Sequence, residues 1–226
     1  MKKPINVVVV ISGSGSNLQT LIDQAAAINI NITGVISNIA SAYGLTRAAQ
    51  ANIPTQVVDH TQFSDRTAFD TALMVAIDSY QPDLVVLAGF MRILTPALTK
   101  HYTGRMLNIH PSLLPKYRGL HTHKRALEAG DKEHGATVHF VTEELDGGPN
   151  VIQAIVPVAD SDTEASLMEK VQEKEHKIYP QAVAWFAEGN LKMEHNKAFL
   201  MGEMLPPTGK RLPNDSSLAG TKQANN

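Results

Sequence analysis

The chain contains no cysteine. This absence excludes disulfide bonds, thiol nucleophiles and metal sites with cysteine ligands, and it is consistent with a cytoplasmic location. The sequence also lacks an excess of charge of either sign, since 20 Lys and Arg residues against 22 Asp and Glu residues leave a net charge of −2. A surface without a basic field offers little attraction to a polyanion, so nucleic acid is not expected as a partner.

Long apolar runs are missing as well. The N-terminal run Ile5–Ile11 is far too short to cross a membrane, and no small-residue cleavage site follows it. A length of 226 residues fits one domain. We expect this domain to occupy residues 1–205 and a polar, disordered tail to occupy residues 206–226, because few apolar residues follow Met204.

Short β-branched runs alternate with helical patterns in the first half of the chain. The run Ile5–Ile11 is apolar at nearly every position, which is typical of a parallel strand buried on both faces. The patterns predict strands at residues 5–11, 32–37, 55–58 and 83–88, and helices from Leu18 onward and at residues 42–51, 65–80 and 121–129. This order predicts an α/β fold with a Rossmann-like, mostly parallel sheet and helices on both faces.

The second half of the chain changes in character. Two strands predicted at residues 136–141 and 151–156 flank a turn-rich loop, which indicates a hairpin and hence an antiparallel edge on the parallel sheet. A final long helix is predicted to begin at Asp162 or Thr163 and to end near Glu188. No internal repeat or linker divides the chain.

The stretch Leu107–Gly119 carries the strongest chemical signal. Pro111 stops strand pairing directly after His110. Because side chains alternate along a strand, Asn108 and His110 leave the same face at a strand end, where open α/β sheets bind ligands. An amide beside an imidazole is suited to the chemistry of a carbonyl, although a single histidine is more often structural.

A glycine-rich turn at residues 12–17 follows the first strand. Its backbone N–H groups and the start of the next helix favour an anion such as a phosphate. The turn is not the dinucleotide fingerprint, because Leu18 stands where the third glycine belongs, and it lacks the lysine of a P-loop. A tight turn into a helix explains such glycines equally well.

Asp146 is the third signal. It lies in the glycine-rich loop of the predicted hairpin, and a carboxylate near His110 would hold the ring and favour the imidazolium form. Asp-Gly is also a common turn pair, so a turn that bonds its own backbone remains the alternative.

Taken together, four motifs resemble those of a known family in order and spacing. They are SGSGSN at residues 12–17, LAGFMRIL at 87–94, NIHPSLLP at 108–115 and LDGG at 145–148. From Ile5 to about Leu205 the chain resembles the phosphoribosylglycinamide formyltransferases, folate-dependent enzymes of purine synthesis.

The resemblance implies a formyltransferase fold and a reaction. The amine of phosphoribosylglycinamide would take the formyl group of 10-formyltetrahydrofolate, the co-substrate. Asn108 and His110 would stabilise the oxyanion, and Asp146 would favour protonated His110. The resemblance implies no metal, and we expect small-molecule substrates as partners, no membrane partner, and a monomer or homodimer.

The resemblance also implies two sets of binding residues. Those for phosphoribosylglycinamide are Gly13, Gly15, Ser16, Asn17, Gln172 and Glu175. Those for 10-formyltetrahydrofolate are Arg66, Met91, Arg92, Ile93, Leu94, Asn108, Thr142, Glu143, Glu144, Leu145 and Asp146. By periodicity alone, Met91, Ile93 and Leu94 fit a plain core equally well.

Three alternatives stay open. Another formyl-folate enzyme, a hydrolase or a transferase for methionyl-tRNA, resembles the same Asn, His and Asp set. It is disfavoured because no extra N-terminal domain precedes Ile5 and only a polar tail follows Met204. A non-catalytic nucleotide-binding module would use the glycine turn alone, and a dinucleotide-dependent oxidoreductase is disfavoured by Leu18.

Overall fold

The computed structural model describes residues 3–212. Its strands are β1 (Ile5–Ile11), β2 (Ile30–Ser37), β3 (Thr55–Val57), β4 (Leu84–Leu87), β5 (Met106–His110), β6 (Glu133–Phe140), β7 (Asn150–Pro157), β8 (Leu191–Glu194), β9 (Lys197–Leu200), β10 (Glu203–Met204) and β11 (Lys210–Leu212). Its helices are α1 (Ser16–Gln24), α2 (Tyr43–Gln50), α3 (Arg66–Asp78), α4 (Pro96–His101), α5 (Thr122–Glu128) and α6 (Glu164–Ala187), with a 3-10 turn at His60–Gln62.

Eight strands form the larger sheet in the order β11-β7-β6-β5-β4-β1-β2-β3. The pairs from β3 to β5 are parallel, whereas β6 runs antiparallel to both β5 and β7. The predicted α/β fold with a mostly parallel sheet and a hairpin is therefore confirmed. The hairpin is not the edge, however, because β11 pairs in parallel with β7 and covers its outer hydrogen-bonding groups.

Strand β1 shows why helices cover both faces of the sheet. Val7 and Val9 pack into one cluster with residues of α1 and α6, whereas Val8 and Val10 pack into a second cluster with residues of α3. Since successive side chains of a strand point to opposite faces, an apolar residue at every position requires cover on both sides.

The expected start of the tail is wrong for residues 210–212. These residues form β11 in the larger sheet, with Lys210 opposite Ile152 and Leu212 opposite Ala154. A polar composition concealed this strand because backbone pairing, rather than side-chain burial, holds it. Residues 213–226, the remainder of the expected tail, lie outside the described residues.

A smaller antiparallel sheet, in the order β10-β9-β8, was not predicted. Its strands have only two to four residues, which is too short for a periodic pattern to show. His195 and Asn196 connect β8 to β9 with φ values of 49° and 57°, as a two-residue hairpin turn requires. Helix α4, the helix expected before the strand of Asn108, has six residues, which is too few for a periodic pattern to give its bounds.

Helix α6 begins where the sequence predicts, with Thr163 as its cap. The Thr163 side chain accepts a hydrogen bond from Ser166 N, and Ser166 Oγ accepts one from Thr163 N. The helix packs against β6, β7 and α1, which brings its middle turns beside the glycine turn. Within residues 3–212 no helix combines the length and the apolar character needed to cross a membrane.

Candidate active site

The candidate active site lies at the carboxyl end of β5, between a parallel neighbour and an antiparallel one. Asn108 is half-buried and His110 is buried. In the ladder with β6, Asn108 lies opposite His139 and His110 lies opposite Thr137. Because β6 runs antiparallel to β5, side chains of both strands and of the loops that follow β5 and precede β6 lie near this end of β5.

His110 has a defined partner on each ring nitrogen. Its Nε2 lies 2.9 Å from the backbone carbonyl oxygen of Tyr117, which can only accept, so Nε2 carries a hydrogen and donates it. Its Nδ1 lies 3.5 Å from Asp146 Oδ2. A carboxylate at this distance stabilises a positive charge that develops on the ring during a reaction.

Asp146 reaches His110 because the loop after β6 folds back over the sheet. The residue has a φ of 48°, and its Oδ2 accepts a hydrogen bond of 2.9 Å from Gly119 N. Its Oδ1 lies 3.8 Å from His139 Nε2, and the side chain is only 8% exposed. A carboxylate held by a backbone N–H and faced by two imidazoles is positioned to compensate a positive charge on His110.

His139 is a site residue that sequence reasoning missed. Its Nδ1 donates to the carbonyl oxygen of Phe140 at 2.9 Å, so Nε2 is an acceptor and lies 3.2 Å from Asn108 Nδ2. Burial lowers the pKa of His139, which keeps the ring neutral as this bond requires. The available signal was a histidine on the same strand face as Thr137, but only the pairing of β6 with β5 places it opposite Asn108.

The glycine turn and α6 are in direct contact through side chains of the implied substrate set. Gln172 Nε2 donates to Ser16 Oγ at 3.0 Å, and Asn17 Nδ2 donates to Glu175 Oε2 at 2.9 Å. Burial raises the pKa of Glu175, although the bond from Asn17 opposes this shift. The buried Asn17 Oδ1 has no hydrogen-bond partner among the described residues. One buried acceptor is therefore left unpaired by the described residues at this junction.

The turn itself depends on glycine at one position. Gly15 has a φ of 70°, and a Cβ there would lie 2.6 Å from Gly44 Cα. Arg47 Nε donates to the Ser14 carbonyl oxygen at 2.9 Å, which places a guanidinium beside the turn. Neighbouring α2 thus packs against the turn too closely for any larger residue at position 15.

The loop after β4 carries four of the implied folate residues, Met91, Arg92, Ile93 and Leu94. Met91 is 71% exposed and Ile93 is 53% exposed, whereas Leu94 packs partly against the core, so periodicity misleads for the first two. The Arg92 guanidinium lies over the Phe69 ring, 4.8 Å from its centre. Exposed methionine and isoleucine side chains next to a guanidinium are suited to a flat, partly anionic ligand.

The other implied folate residues lie at two further places. Arg66 is exposed at the first position of α3. In the loop after β6, Thr142 is half-buried and Leu145 is 47% exposed. Glu144 forms an ion pair with Arg118, to which sequence reasoning gave no role, and Glu143 pairs with Lys100 at 3.0 Å. Arg118 thereby ties the loop after β5 to the loop that carries Asp146.

A cavity of about 480 Å³ adjoins the Asp146 loop. It is lined by Asp146 and Gly147 together with β9 and residues 204–207, but Asn108 and His110 do not line it. The cavity therefore lies beside the candidate active site and shares only Asp146 with the catalytic set.

The arrangement of histidine and acidic side chains also bears on metal binding. Among the side chains that the structure describes, no group of three or more His, Cys, Asp or Glu residues could hold a metal ion. His123, in the His-Thr-His stretch, instead has its Nδ1 3.2 Å from His134 Nε2.

Comparisons with known proteins bear on the whole chain. The formyl transferase family model matches residues 5–183. The phosphoribosylglycinamide formyltransferase of Escherichia coli (strain K12) is 56% identical over 207 residues, which cover 91% of this chain and 98% of that protein. The enzyme of the same name from Haemophilus influenzae is 50% identical over 211 residues, covering 92% of this chain and 98% of that protein.

A solved structure agrees with these relatives. The phosphoribosylglycinamide formyltransferase of Coxiella burnetii superposes with a TM-score of 0.90 at 50% identity, covering 93% of this chain and 100% of that chain. The resemblance indicated by the four motifs is thereby confirmed, because it extends over nearly the whole sequence and the whole fold. The chain belongs to the formyl transferase family and, within it, to the phosphoribosylglycinamide formyltransferases.

Proposed function

We propose that this protein transfers the formyl group of 10-formyltetrahydrofolate to the amine of phosphoribosylglycinamide, giving formylglycinamide ribonucleotide and tetrahydrofolate in purine biosynthesis. Family membership supports the reaction. The observation that carries the assignment to particular residues is the convergence of Asn108, His110 and Asp146 at the end of β5, at the same edge of the sheet as the glycine turn after β1.

The transfer needs no covalent enzyme intermediate. The substrate amine attacks the formyl carbon, a carbon–nitrogen bond forms, and the carbonyl oxygen becomes an oxyanion. The bond from that carbon to the folate nitrogen then breaks. The leaving nitrogen gains a proton and the attacking nitrogen loses one, so atoms and charges balance.

Asn108 and His110 act on the oxyanion. Asn108 Nδ2 has two hydrogens, and because one is directed to His139, the other is free to donate to the reacting oxygen. His110 donates through Nδ1, since Nε2 is already bound to Tyr117. At 3.5 Å, Asp146 lies too far from Nδ1 for a strong hydrogen bond but close enough to compensate its positive charge.

The ribonucleotide phosphate is placed on the turn formed by Gly13, Gly15, Ser16 and Asn17. Its charge would meet backbone N–H groups at the start of α1, a helix of nine residues without a side-chain cap. Gln172 and Glu175 of α6 lie next to this turn, and the Glu175 carboxyl is suited to accept hydrogen bonds from ribose hydroxyls. The unpartnered Asn17 Oδ1 offers a further acceptor.

The folate co-substrate is placed in the cleft between two loops. Residues 91–94 would contact its flat ring with exposed apolar side chains and main-chain groups, and residues 142–146 would close the other side. The guanidinium groups of Arg66 and Arg92 suit the carboxylates of the folate tail. We further propose a cytoplasmic enzyme with small-molecule substrates, acting as a monomer or homodimer.

A spectroscopic assay of tetrahydrofolate release tests this function. Release from 10-formyltetrahydrofolate should require phosphoribosylglycinamide in the wild type. In His110→Ala, kcat should fall roughly 10²- to 10⁴-fold, with much smaller changes in KM, because proton handling and oxyanion stabilisation are lost. Release without the ribonucleotide would identify a hydrolase, and near-normal turnover of the variant would remove His110 from the mechanism.

A further inference from the structure

Ser12 connects the glycine turn to the loop after β4. This loop, residues 88–95, contains the implied folate residues 91–94 and is called the folate loop. It directly follows β1 and is buried, with an exposed fraction of 7%. Its backbone N donates to the carbonyl oxygen of Gly89 at 3.2 Å, and Met91 N donates to its hydroxyl at 2.9 Å. One residue therefore holds the loop after β4 at two points while it begins the turn that is proposed to bind phosphate.

The direction of each bond at the Ser12 hydroxyl follows from its partners. A backbone N–H can only donate, so the hydroxyl accepts from Met91. Its single hydrogen must then be directed to Asn38 Oδ1, at 2.6 Å. Asn38 is buried at the end of β2, with an exposed fraction of 3%. The hydroxyl is thus oriented by a rigid strand end and cannot rotate without leaving a buried polar group unpaired.

A second series of contacts leads from Asn38 back to the folate loop. His60 Nδ1 lies 2.9 Å from the Asn38 carbonyl oxygen and 3.2 Å from Asn38 Nδ2, so either tautomer of His60 bonds to Asn38. The His60 ring meets the Phe69 ring edge to face, with centres 6.4 Å apart. Arg92 lies over the same Phe69 ring. Both ends of this closed path lie at adjacent residues of the folate loop.

We propose that Ser12 is a positioning residue that couples the two substrate sites, so that phosphoribosylglycinamide on the glycine turn raises the affinity for the folate ligand through the hydrogen bond from Met91 N to the Ser12 hydroxyl. The proposal rests on the proposed function. The bond to Met91 N is already formed without a ligand. An anion held at the turn restrains the residues that follow Ser12, so this bond opens less often and the folate loop stays more often in its binding position. By thermodynamic linkage, each ligand must raise the affinity for the other by the same factor.

The matched control is Ser37. Its side chain is also buried at a strand end, and its hydroxyl bonds only locally, donating to the Ile39 carbonyl oxygen at 2.8 Å and accepting from Ile39 N at 3.1 Å. Ser37→Ala therefore removes a buried hydroxyl next to Asn38 without touching either loop. Ser12→Ala removes the coupling hydroxyl. Ser12→Cys fills the same space with a much weaker donor and acceptor, so it is tested in parallel in case the alanine variant does not fold.

The experiment is a binding cycle with a pair of ligands that cannot react. The Kd of tetrahydrofolate is measured by calorimetry with and without saturating phosphoribosylglycinamide. In the wild type and in Ser37→Ala, the ribonucleotide should tighten tetrahydrofolate binding at least about fivefold. The coupling ratio is the Kd of tetrahydrofolate without phosphoribosylglycinamide divided by its Kd with it. In Ser12→Ala and Ser12→Cys this ratio should fall to within about twofold of unity, while the Kd of phosphoribosylglycinamide alone stays within roughly threefold of the wild-type value.

Each other outcome has a definite meaning. If the wild type binds both ligands but the ratio is unity, or if the Ser12 variants keep the wild-type ratio, the coupling role of Ser12 is overturned and the proposed function stands. If the coupling ratio of Ser37→Ala also falls to unity, a general loss of packing explains the result and the assignment to Ser12 fails. If the wild type binds neither ligand, the proposed function fails first and this inference fails with it.

Discussion

Replacing Asp146 by asparagine removes one charge at the centre of the site and little else. The amide oxygen can still accept the hydrogen bond from Gly119 N, so the loop should keep its place. What is lost is the carboxylate that lies 3.5 Å from Nδ1 of His110. The variant therefore tests whether the positive charge on His110 in the transition state needs this partner.

The size of the effect follows from the distance. Two unit charges 3.5 Å apart interact with about 5 kcal/mol at an effective dielectric constant of about 20. Part of this is offset because a buried carboxylate itself is costly to desolvate, which leaves a loss of about 3 to 4 kcal/mol in the transition state. Since each 1.4 kcal/mol is about tenfold in rate, kcat should fall roughly 10²- to 10³-fold.

The assay is steady-state formyl transfer with both substrates varied, together with thermal melting of each protein. The matched control is Asp160→Asn, which makes the same change at an exposed carboxylate paired with Lys132 at 2.9 Å and should leave kcat within about twofold. A kcat of Asp146→Asn within about fivefold of the wild type, in a folded protein, would refute the electrostatic role of Asp146.

Three further predictions concern His139, Glu175 and the C-terminal strand. His139→Phe keeps a buried ring but removes the acceptor of Asn108 Nδ2, so kcat should fall roughly 10- to 100-fold with little change in KM, and an unchanged kcat would show that Asn108 needs no such partner. Burial raises the pKa of Glu175, so its contribution to stability is fully present below the ordinary pKa of 4.5 and is lost as pH rises. Glu175→Gln does not ionise, and its Tm should therefore rise relative to the wild type as the pH increases above 4.5, whereas a difference independent of pH would contradict this sign. Deleting residues 206–226 removes β11 and should lower Tm by roughly 2 to 8 °C compared with deleting residues 213–226, which keeps the strand, and equal Tm values would mean that β11 adds no stability.

The strongly patterned elements could be predicted from the sequence. The run Ile5–Ile11 has only one polar residue, Asn6, and both faces of that strand are in fact covered. The Thr163 cap could be predicted because its bonds to Ser166 join residues three apart. The pair Asn108 and His110 could be placed on one face because strand alternation needs no knowledge of the neighbours. In each case the determining interaction lies within a few residues or repeats with a fixed period.

Other features depended on segments far apart in the chain. His139 became a site residue only because β6 pairs antiparallel with β5, and residue 212 became part of the sheet only because the edge of β7 was free to accept it. Asp146 could be nominated from its motif, yet its contact with His110 depends on a loop that folds back to Gly119. Residues alone determined which side chains could do the chemistry. The tertiary structure decided which of them meet, because pairing register and loop closure are set by contacts across the whole sheet.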